Sequence, residues 1–286
     1  MKAITVPAPA KLNLTLDILG TRPDGYHEMY MVMQSVSLYD QVSLELGSPG
    51  GVRAESGLSF LPSDKENLAV AAALAFREKA GQDWQDLKIT IDKHIPVCAG
   101  TAGGSSDAAA VLRGLNQLTG TGYPSAELAE LGERVGSDVP YCVMGGTALA
   151  QGRGELLTPL PSLPPCHIVL CKPRFSISTP ELFKAWDKKK IRLHPDTKGV
   201  MEALEARDLS GVARRMYNVF EEVLSPYQRR EIESIKNTLL QKGALGAVMS
   251  GSGPTVFGLF DGEDAAKEAV RLLRADYEDV FLTVPV

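Results

Sequence analysis

Alternating polar and apolar positions mark the first extended segment of the chain. Residues 11–18 read Lys-Leu-Asn-Leu-Thr-Leu-Asp-Ile, and this period of two predicts a β-strand with one core face and one polar face. A polar strand face commonly meets solvent. Lys11 and Asn13 project from the same side, however, so both could line a pocket. Further extended runs follow a Pro-Asp-Gly turn at 23–25 and lie at 29–38 and 42–46.

Helical patterns follow these strands. Asn67 precedes an apolar-rich helix that ends near Gly81, which suits the glycine position just past a helix. A strand over 87–95 stops at Pro96. Apolar residues then recur at helical spacing between Ala108 and Leu118. Ser125 is predicted to cap another helix.

Four prolines within Pro159–Pro165 indicate a boundary between domains. Beyond it, a strand at 168–171 is followed by helices that begin at Ser-Pro or Ser-Thr-Pro signals. Two short strands, a helix and a final strand complete the chain. This order predicts a split βαβ sandwich with inserted helices. The helices are predicted at 178 onward, 225–243 and 264–273, and the strands at 246–249, 255–260 and 280–284.

Composition narrows the classes of function. The chain has 286 residues, is 44% hydrophobic and 23% charged, and carries a formal net charge of −5, which argues against a nucleic-acid surface. Apolar stretches are far shorter than the roughly 20 residues that a membrane helix needs. The first residues lack an apolar signal core, so we expect a cytoplasmic location. The four cysteines and four histidines show no ligand spacing, so no metal site is expected.

The glycine-rich stretch at 96–107, Pro-Val-Cys-Ala-Gly-Thr-Ala-Gly-Gly-Ser-Ser-Asp, precedes the alanine-rich helix. A glycine turn that opens onto a helix directs free backbone N–H groups toward one point, where a phosphate can bind. The spacing matches neither GxxxxGK[ST] nor GxGxxG. The alternative is a flexible loop before a helix capped by Ser106 or Asp107.

A second glycine-rich turn, Ser-Gly-Ser-Gly-Pro at 250–254, lies in the other half of the chain. In isolation it could be a simple hairpin connection. Two such loops in one chain favour phosphate handling, with one loop in each domain and a ligand between them.

Asp138 precedes Val139 and Pro140, where an aspartate usually caps a helix. A catalytic role requires a partner, and Lys11 is the best candidate because its ammonium could keep the carboxylate ionised beside a phosphoryl group. Tyr26 and His27 follow the Pro-Asp-Gly turn. Tyrosine at a hairpin usually packs across strands, but this pair also suits an aromatic base.

Three motifs coincide in order and spacing: Pro-Ala-Lys-Leu-Asn-Leu at 9–14 with Arg-Pro-Asp-Gly-Tyr-His at 22–27, the stretch at 100–107, and Gly-Ser-Gly-Pro at 251–254. Over essentially its whole length the chain resembles the GHMP family of small-molecule kinases. The Asp-Gly-Tyr-His element points to the branch whose substrate carries a cytidine diphosphate group, since homoserine and mevalonate kinases share the glycine loops but not this hairpin.

The resemblance implies an α+β fold of two domains. Residues 1–160 would form an N-terminal ATP-binding domain like the second domain of ribosomal protein S5. Residues 161–286 would form a ferredoxin-like C-terminal domain. The implied reaction is ATP- and Mg²⁺-dependent phosphorylation of the tertiary 2-hydroxyl of a methylerythritol unit, in non-mevalonate isoprenoid precursor synthesis. We expect a monomer or weak homodimer without nucleic-acid or membrane partners.

The resemblance also assigns roles by position. Asp138 would be the catalytic base and Lys11 its partner. Asn13 would contact the substrate, Tyr26 would stack on the cytosine and His27 would hydrogen-bond its edge, with Phe183 closing the other side. Gly251 and Ser252 would also bind substrate. The ATP-binding positions would be Asn67, Lys93, Pro96, Val97, Cys98, Ala99, Gly100, Thr101, Ala102, Gly103, Gly104, Ser105 and Ser106.

Three residues depart from the family pattern. Thr101 replaces the usual leucine and Ala102 a common glycine, which could alter loop packing, while Met33 stands where some members have an aromatic residue and could weaken base stacking. The remaining alternatives are a GHMP kinase for a different alcohol, a nucleotide-binding relative without turnover, and a dinucleotide oxidoreductase. The missing GxGxxG and ribose-binding acid disfavour the last.

Overall fold

A computed structural model describes residues 2–286. These residues form two compact units. The first consists of residues 2–10, Leu38–Val97 and Ala102–Gly145, and the second consists of Lys11–Ser37, Cys98–Thr101 and Gly146–Val286. The two longest strands each contribute to both units. The sequence instead predicted one division near residue 160, and that division stays a prediction.

Eleven strands and nine α-helices occur within residues 2–286. The strands are β1 Lys2–Thr21, β2 His27–Leu46, β3 Val52–Ser56, β4 Leu87–Asp92, β5 Thr147–Gly152, β6 Leu156–Pro159, β7 His167–Lys172, β8 Tyr217–Asn218, β9 Gly246–Met249, β10 Val256–Phe260 and β11 Asp279–Thr283. The helices are α1 Leu68–Lys79, α2 Gly103–Thr119, α3 Ser125–Glu133, α4 Val139–Met144, α5 Thr179–Asp187, α6 Thr197–Glu205, α7 Leu209–Arg215, α8 Pro226–Gln241 and α9 Glu263–Leu273.

In the first unit, helices α1–α4 accompany a sheet. Strand β4 pairs with β3 in parallel and with residues 41–46 of β2 in antiparallel register. Gly114 of α2 shows how closely helix and sheet pack, because a Cβ there would lie 2.6 Å from the Leu44 side chain. Helix α1 begins and ends as predicted, with the Asn67 side chain accepting from the Ala69 N–H and Gly81 in the left-handed region.

The second unit contains a four-stranded antiparallel sheet in the order β11-β7-β10-β9. Helices α8 and α9 pack on it. This order confirms the predicted split βαβ sandwich. Helix α8 begins at the predicted Ser-Pro signal, where Ser225 and Gln228 form a reciprocal capping box. Strand β5 of the same unit pairs with residues 29–34 of β2 and with β6.

The predicted polar face of β1 does not meet solvent. Lys11, Asn13, Thr15 and Asp17 are all at most 5% exposed. Thr15 accepts a hydrogen bond from the Val32 N–H, and Asp17 bonds to His194. Because buried polar groups require partners, this stripe is fixed in place within the second unit.

Candidate active site

The two glycine-rich loops touch each other inside the second unit. A Cβ on Gly100 would lie 2.2 Å from the carbonyl oxygen of Ser250 and 2.8 Å from the nitrogen of Gly253. The Thr255 N–H donates to the carbonyl of Ala99 over 3.3 Å. Gly100 and Ser250 therefore lie in direct backbone contact, and a ligand between the two loops stays a prediction.

Ser250 links this pair of loops to β1, a role that no sequence motif indicated. Its hydroxyl donates to the Gly100 carbonyl over 3.0 Å and accepts from the Asn13 N–H over 3.3 Å. The side chain is fully buried. Neighbouring Gly251 packs against the Gly100 carbonyl and the Ser252 hydroxyl bonds to Thr179. Three segments distant in sequence are thus held together by one hydroxyl.

Alternate residues of the first loop adopt left-handed backbone angles. Cys98 has φ 52°, Gly100 has φ 75° and Ala102 has φ 55°. Cys98 and Ala102 have side chains, so these conformations are strained. Alternating left-handed residues turn successive N–H groups toward a common concavity, as in anion-binding nests. These angles are compatible with a loop that binds a phosphate, and phosphate binding by this loop stays a prediction.

In the first unit, α2 begins at Gly103 directly after this loop. Its N-cap residue, Ala102, makes no side-chain cap. The alternative in which Ser106 or Asp107 caps the helix is wrong, because both lie inside it: the Ser106 hydroxyl donates to the Pro9 carbonyl and Asp107 bonds to Lys93. The uncapped first turn, formed by Gly103, Gly104 and Ser105, leaves N–H groups for an anion.

Lys93 lies in a buried cluster of charges. Its ammonium is 2.5 Å from Asp40 and 2.8 Å from Asp107. Burial lowers the pKa of Lys93, but attraction to Asp107 and Asp40 outweighs burial and raises that pKa overall. Burial also raises the pKa of Asp107 to about 7, although attraction to Lys93 opposes this.

Two of the residues predicted to approach the nucleotide thus bond to the protein itself. Besides capping α1, Asn67 donates to the Pro62 carbonyl over 2.8 Å. Lys93 is enclosed by its two carboxylates, with a side chain 6% exposed. Contact of either residue with ATP stays a prediction. Pro96 and Val97 are half-buried, Cys98 is exposed, and Thr101 is buried without a hydrogen bond to its hydroxyl among residues 2–286.

Asp138 occupies the N-cap position of α4, yet its side chain makes no capping hydrogen bond. Capping of the helix therefore does not explain why an aspartate stands at position 138. Lys11 lies in the second unit, where its ammonium donates to the Asn13 side chain over 2.8 Å and its N–H donates to the Thr101 carbonyl. The approach of Lys11 to Asp138 stays a prediction, since the two residues belong to different units.

An aromatic cluster follows the Pro-Asp-Gly turn of the second unit. His27 stacks on Phe183 at 4.4 Å between ring centroids and meets the edge of Trp186 at 5.5 Å. Its Nε2 lies 2.8 Å from Asp187. Sequence motifs indicated His27 and Phe183 but not Trp186 and Asp187, whose only signal was their position on the helix that carries Phe183.

Tyr26 stands apart from this stack and is 54% exposed. The Arg153 guanidinium lies 5.2 Å from its ring centroid, a cation–π distance. Phe183 thus stacks on His27 and not on Tyr26. Met33 is fully buried, so it offers no exposed surface for stacking.

Two segments of the chain match models of known protein families. Residues 67–146 match the GHMP kinases N terminal domain, and residues 200–279 match the GHMP kinases C terminal domain. A protein of Brevibacillus brevis named 4-diphosphocytidyl-2-C-methyl-D-erythritol kinase is 46% identical, covering 98% of this chain and 95% of its own. One of the same name from Lachnospira eligens is 44% identical, covering 96% and 94%.

Solved structures agree with this result. A crystal structure of 4-(cytidine 5'-diphospho)-2C-methyl-D-erythritol kinase is 33% identical, with a TM-score of 0.82 and 99% of each chain covered. A homoserine kinase from Cytophaga hutchinsonii has a TM-score of 0.76 at 22% identity, covering 100% of this chain and 95% of its own. The second likeness shows the shared fold alone.

Proposed function

The chain belongs to the GHMP kinase family, and on that premise we propose that it transfers a phosphoryl group from ATP to the 2-hydroxyl of 4-diphosphocytidyl-2-C-methyl-D-erythritol. The identity of 44–46% to relatives of that name, over nearly the full chain, is the observation that carries the proposal. Members of this family use ATP as co-substrate. The Tyr26 and His27 hairpin beside Phe183 supports a substrate with an aromatic base.

The backbone of the first glycine loop and the uncapped start of α2 would hold the triphosphate. No group of three acidic, histidine or cysteine side chains within residues 2–286 could hold a metal. Mg²⁺ would therefore arrive on the phosphates of ATP, as part of the co-substrate, because this ion keeps several waters and binds phosphates readily. There it would offset the negative charge of the phosphates.

Asp138 would accept the proton of the attacking hydroxyl, and Lys11 would keep that carboxylate ionised while offsetting charge on the transferred group. A carboxylate is a weak base for an alcohol, so proton transfer would come late, in a loose transition state. Asn13, whose amide is buried beside Lys11, would orient the substrate.

A coupled assay of ADP release tests the proposal, with purified protein, MgATP and the cytidine diphosphate substrate. Homoserine and mevalonate serve as competing alcohols. We expect turnover of the cytidine compound alone. Turnover of another alcohol in its place would identify a different GHMP kinase, and ATP binding without turnover of any alcohol would identify a non-catalytic relative.

The same assay tests Asp138. The Asp138→Asn variant should lower kcat by about a thousandfold while KM for ATP stays near the wild-type value, because general-base catalysis contributes on that order. Near-normal kcat in a folded variant removes Asp138 as the base.

No helix within residues 2–286 has the length and apolar character to span a membrane. We propose a cytoplasmic enzyme, and we expect it to act as a monomer or weak homodimer without nucleic acid. Sedimentation at several protein concentrations tests the oligomeric state.

A further inference from the structure

The charge cluster of the first unit, formed by Asp40, Lys93 and Asp107, is almost completely buried. Asp40 has no exposed surface, and the side chains of Lys93 and Asp107 are 6% and 5% exposed. Lys93 follows β4, Asp40 lies on β2, and Asp107 lies on the second turn of α2. The cluster therefore joins the start of the phosphate-binding helix to the sheet beneath it.

The two carboxylates are not equivalent. One oxygen of Asp40 accepts from the His94 N–H over 2.5 Å and from the Ile95 N–H over 2.8 Å, and the other accepts from Lys93. Asp107 accepts from Lys93 through one oxygen. Its other oxygen is buried and has no hydrogen-bond partner among residues 2–286. Asp40 is thus fully satisfied as an anion, whereas Asp107 is not.

Lys93 also lies close to the helix start without facing solvent. Its nitrogen is 3.2 Å from the position that a Cβ on Gly103 would take. An ammonium there adds positive potential behind the first turn, where the helix dipole already favours an anion. In a buried site, such a charge acts strongly on a neighbouring ligand without contact.

We propose that Asp40, Lys93 and Asp107 position the start of α2, and that the charge on Asp107, one oxygen of which is buried without a hydrogen-bond partner among residues 2–286, tunes the affinity of the helix start for the phosphates of ATP. This rests on the proposed ATP-dependent function. With both carboxylates ionised the cluster carries a charge of −1. Protonation of Asp107 makes it neutral, and the phosphates then meet less repulsion.

We expect this change in the charge of Asp107 near neutral pH. Burial raises the pKa of Asp107 to about 7, with Lys93 opposing and Asp40 adding to the shift. Lys93, from the end of β4, and Asp40, from β2, are the charged groups that act on Asp107. The negative form of the cluster should therefore accumulate as the pH rises above about 7.

The test is the affinity for MgATP, measured by calorimetry between about pH 6 and about pH 8. After correction for the titration of the ligand itself, the wild-type affinity for MgATP should fall about fivefold over this range. The Asp107→Asn variant should keep the low-pH affinity throughout. The control variant Asp92→Asn removes a neighbouring carboxylate that is 70% exposed. Its affinity for MgATP should change with pH as the wild-type affinity does, because the titration of the ligand is the same in both experiments.

An unchanged pH dependence in Asp107→Asn overturns the proposal. A second measurement needs no nucleotide and no variant: a ¹³C titration of the Asp107 carboxyl in the wild-type protein. Titration near neutrality supports the proposal, and titration in the ordinary acidic range overturns it. Failure of the wild-type protein to bind MgATP at any pH would instead overturn the proposed function.

Discussion

The paired glycine loops and the aromatic cluster differ in the kind of contact that holds them together. The loops at 98–101 and 250–254 are held by backbone contacts and by one buried hydroxyl, with no room for an added Cβ at Gly100. The aromatic cluster consists of the side chains of His27, Phe183 and Trp186, and Tyr26, which stands apart from this stack, is 54% exposed. Changes in the loops should therefore damage fold and chemistry together, whereas changes at Tyr26 should affect substrate binding alone.

The largest effect is expected from Gly100→Ala. The new Cβ would overlap the Ser250 carbonyl in a left-handed backbone, so we expect a loss of about 3 kcal/mol in the free energy of unfolding and at least about a hundredfold loss of kcat/KM. Gly120→Ala is the matched control, because Gly120 has φ 69° but no atom within 4 Å of an added Cβ. It should cost only about 1 kcal/mol.

Denaturant unfolding and the ADP-release assay measure both variants of this pair. Equal losses of stability in the two would mean that backbone strain, and not the contact between the loops, makes glycine necessary at position 100.

A smaller effect is expected from Ser250→Ala. The Asn13 N–H would lose its bond to the Ser250 hydroxyl in a buried site, which should lower the free energy of unfolding by about 2 kcal/mol. For comparison, Ser252→Ala removes an exposed bond to Thr179 and should cost less than about 0.5 kcal/mol. Denaturant titration compares them, and similar costs would contradict the linking role of Ser250.

The smallest effect on the fold is expected from Tyr26→Ala. Loss of one stacking surface should raise KM for the cytidine diphosphate substrate about tenfold. The free energy of unfolding and KM for ATP should stay near the wild-type values, because the ring is exposed. Steady-state kinetics with each substrate varied in turn checks this, and an unchanged KM for the cytidine compound would remove Tyr26 from base recognition.

Local signals predicted much of the fold. The N-cap at Asn67, the Ser-Pro start of α8 at Ser225 and the glycine after α1 lie where the sequence indicated. Each depends on atoms within a few residues of one another, so the sequence contains the whole interaction. The start of α2 was misjudged because Ala102 has no capping side chain, and its left-handed conformation has no signature in an alanine.

The candidate site was predicted in part. The glycine loop, His27 and Phe183 follow from motifs, and the structure brings His27 and Phe183 together. Ser250 and Asp187 were missed, since a serine in a hairpin and an aspartate at a helix end are common surface residues. Only their long-range partners, Gly100 and His27, give them a role.

By itself the sequence determined the strand and helix periods, the glycine loops and the membership of a kinase family, because these depend on local spacing and on residues that occur in order. Tertiary structure alone decided that the polar face of β1 is buried, that the two glycine loops touch, and that Lys93 lies between Asp40 and Asp107. These features depend on which distant segments meet and on how little water remains between them, and burial is what turns ordinary polar side chains into fixed bonds and shifted pKa values.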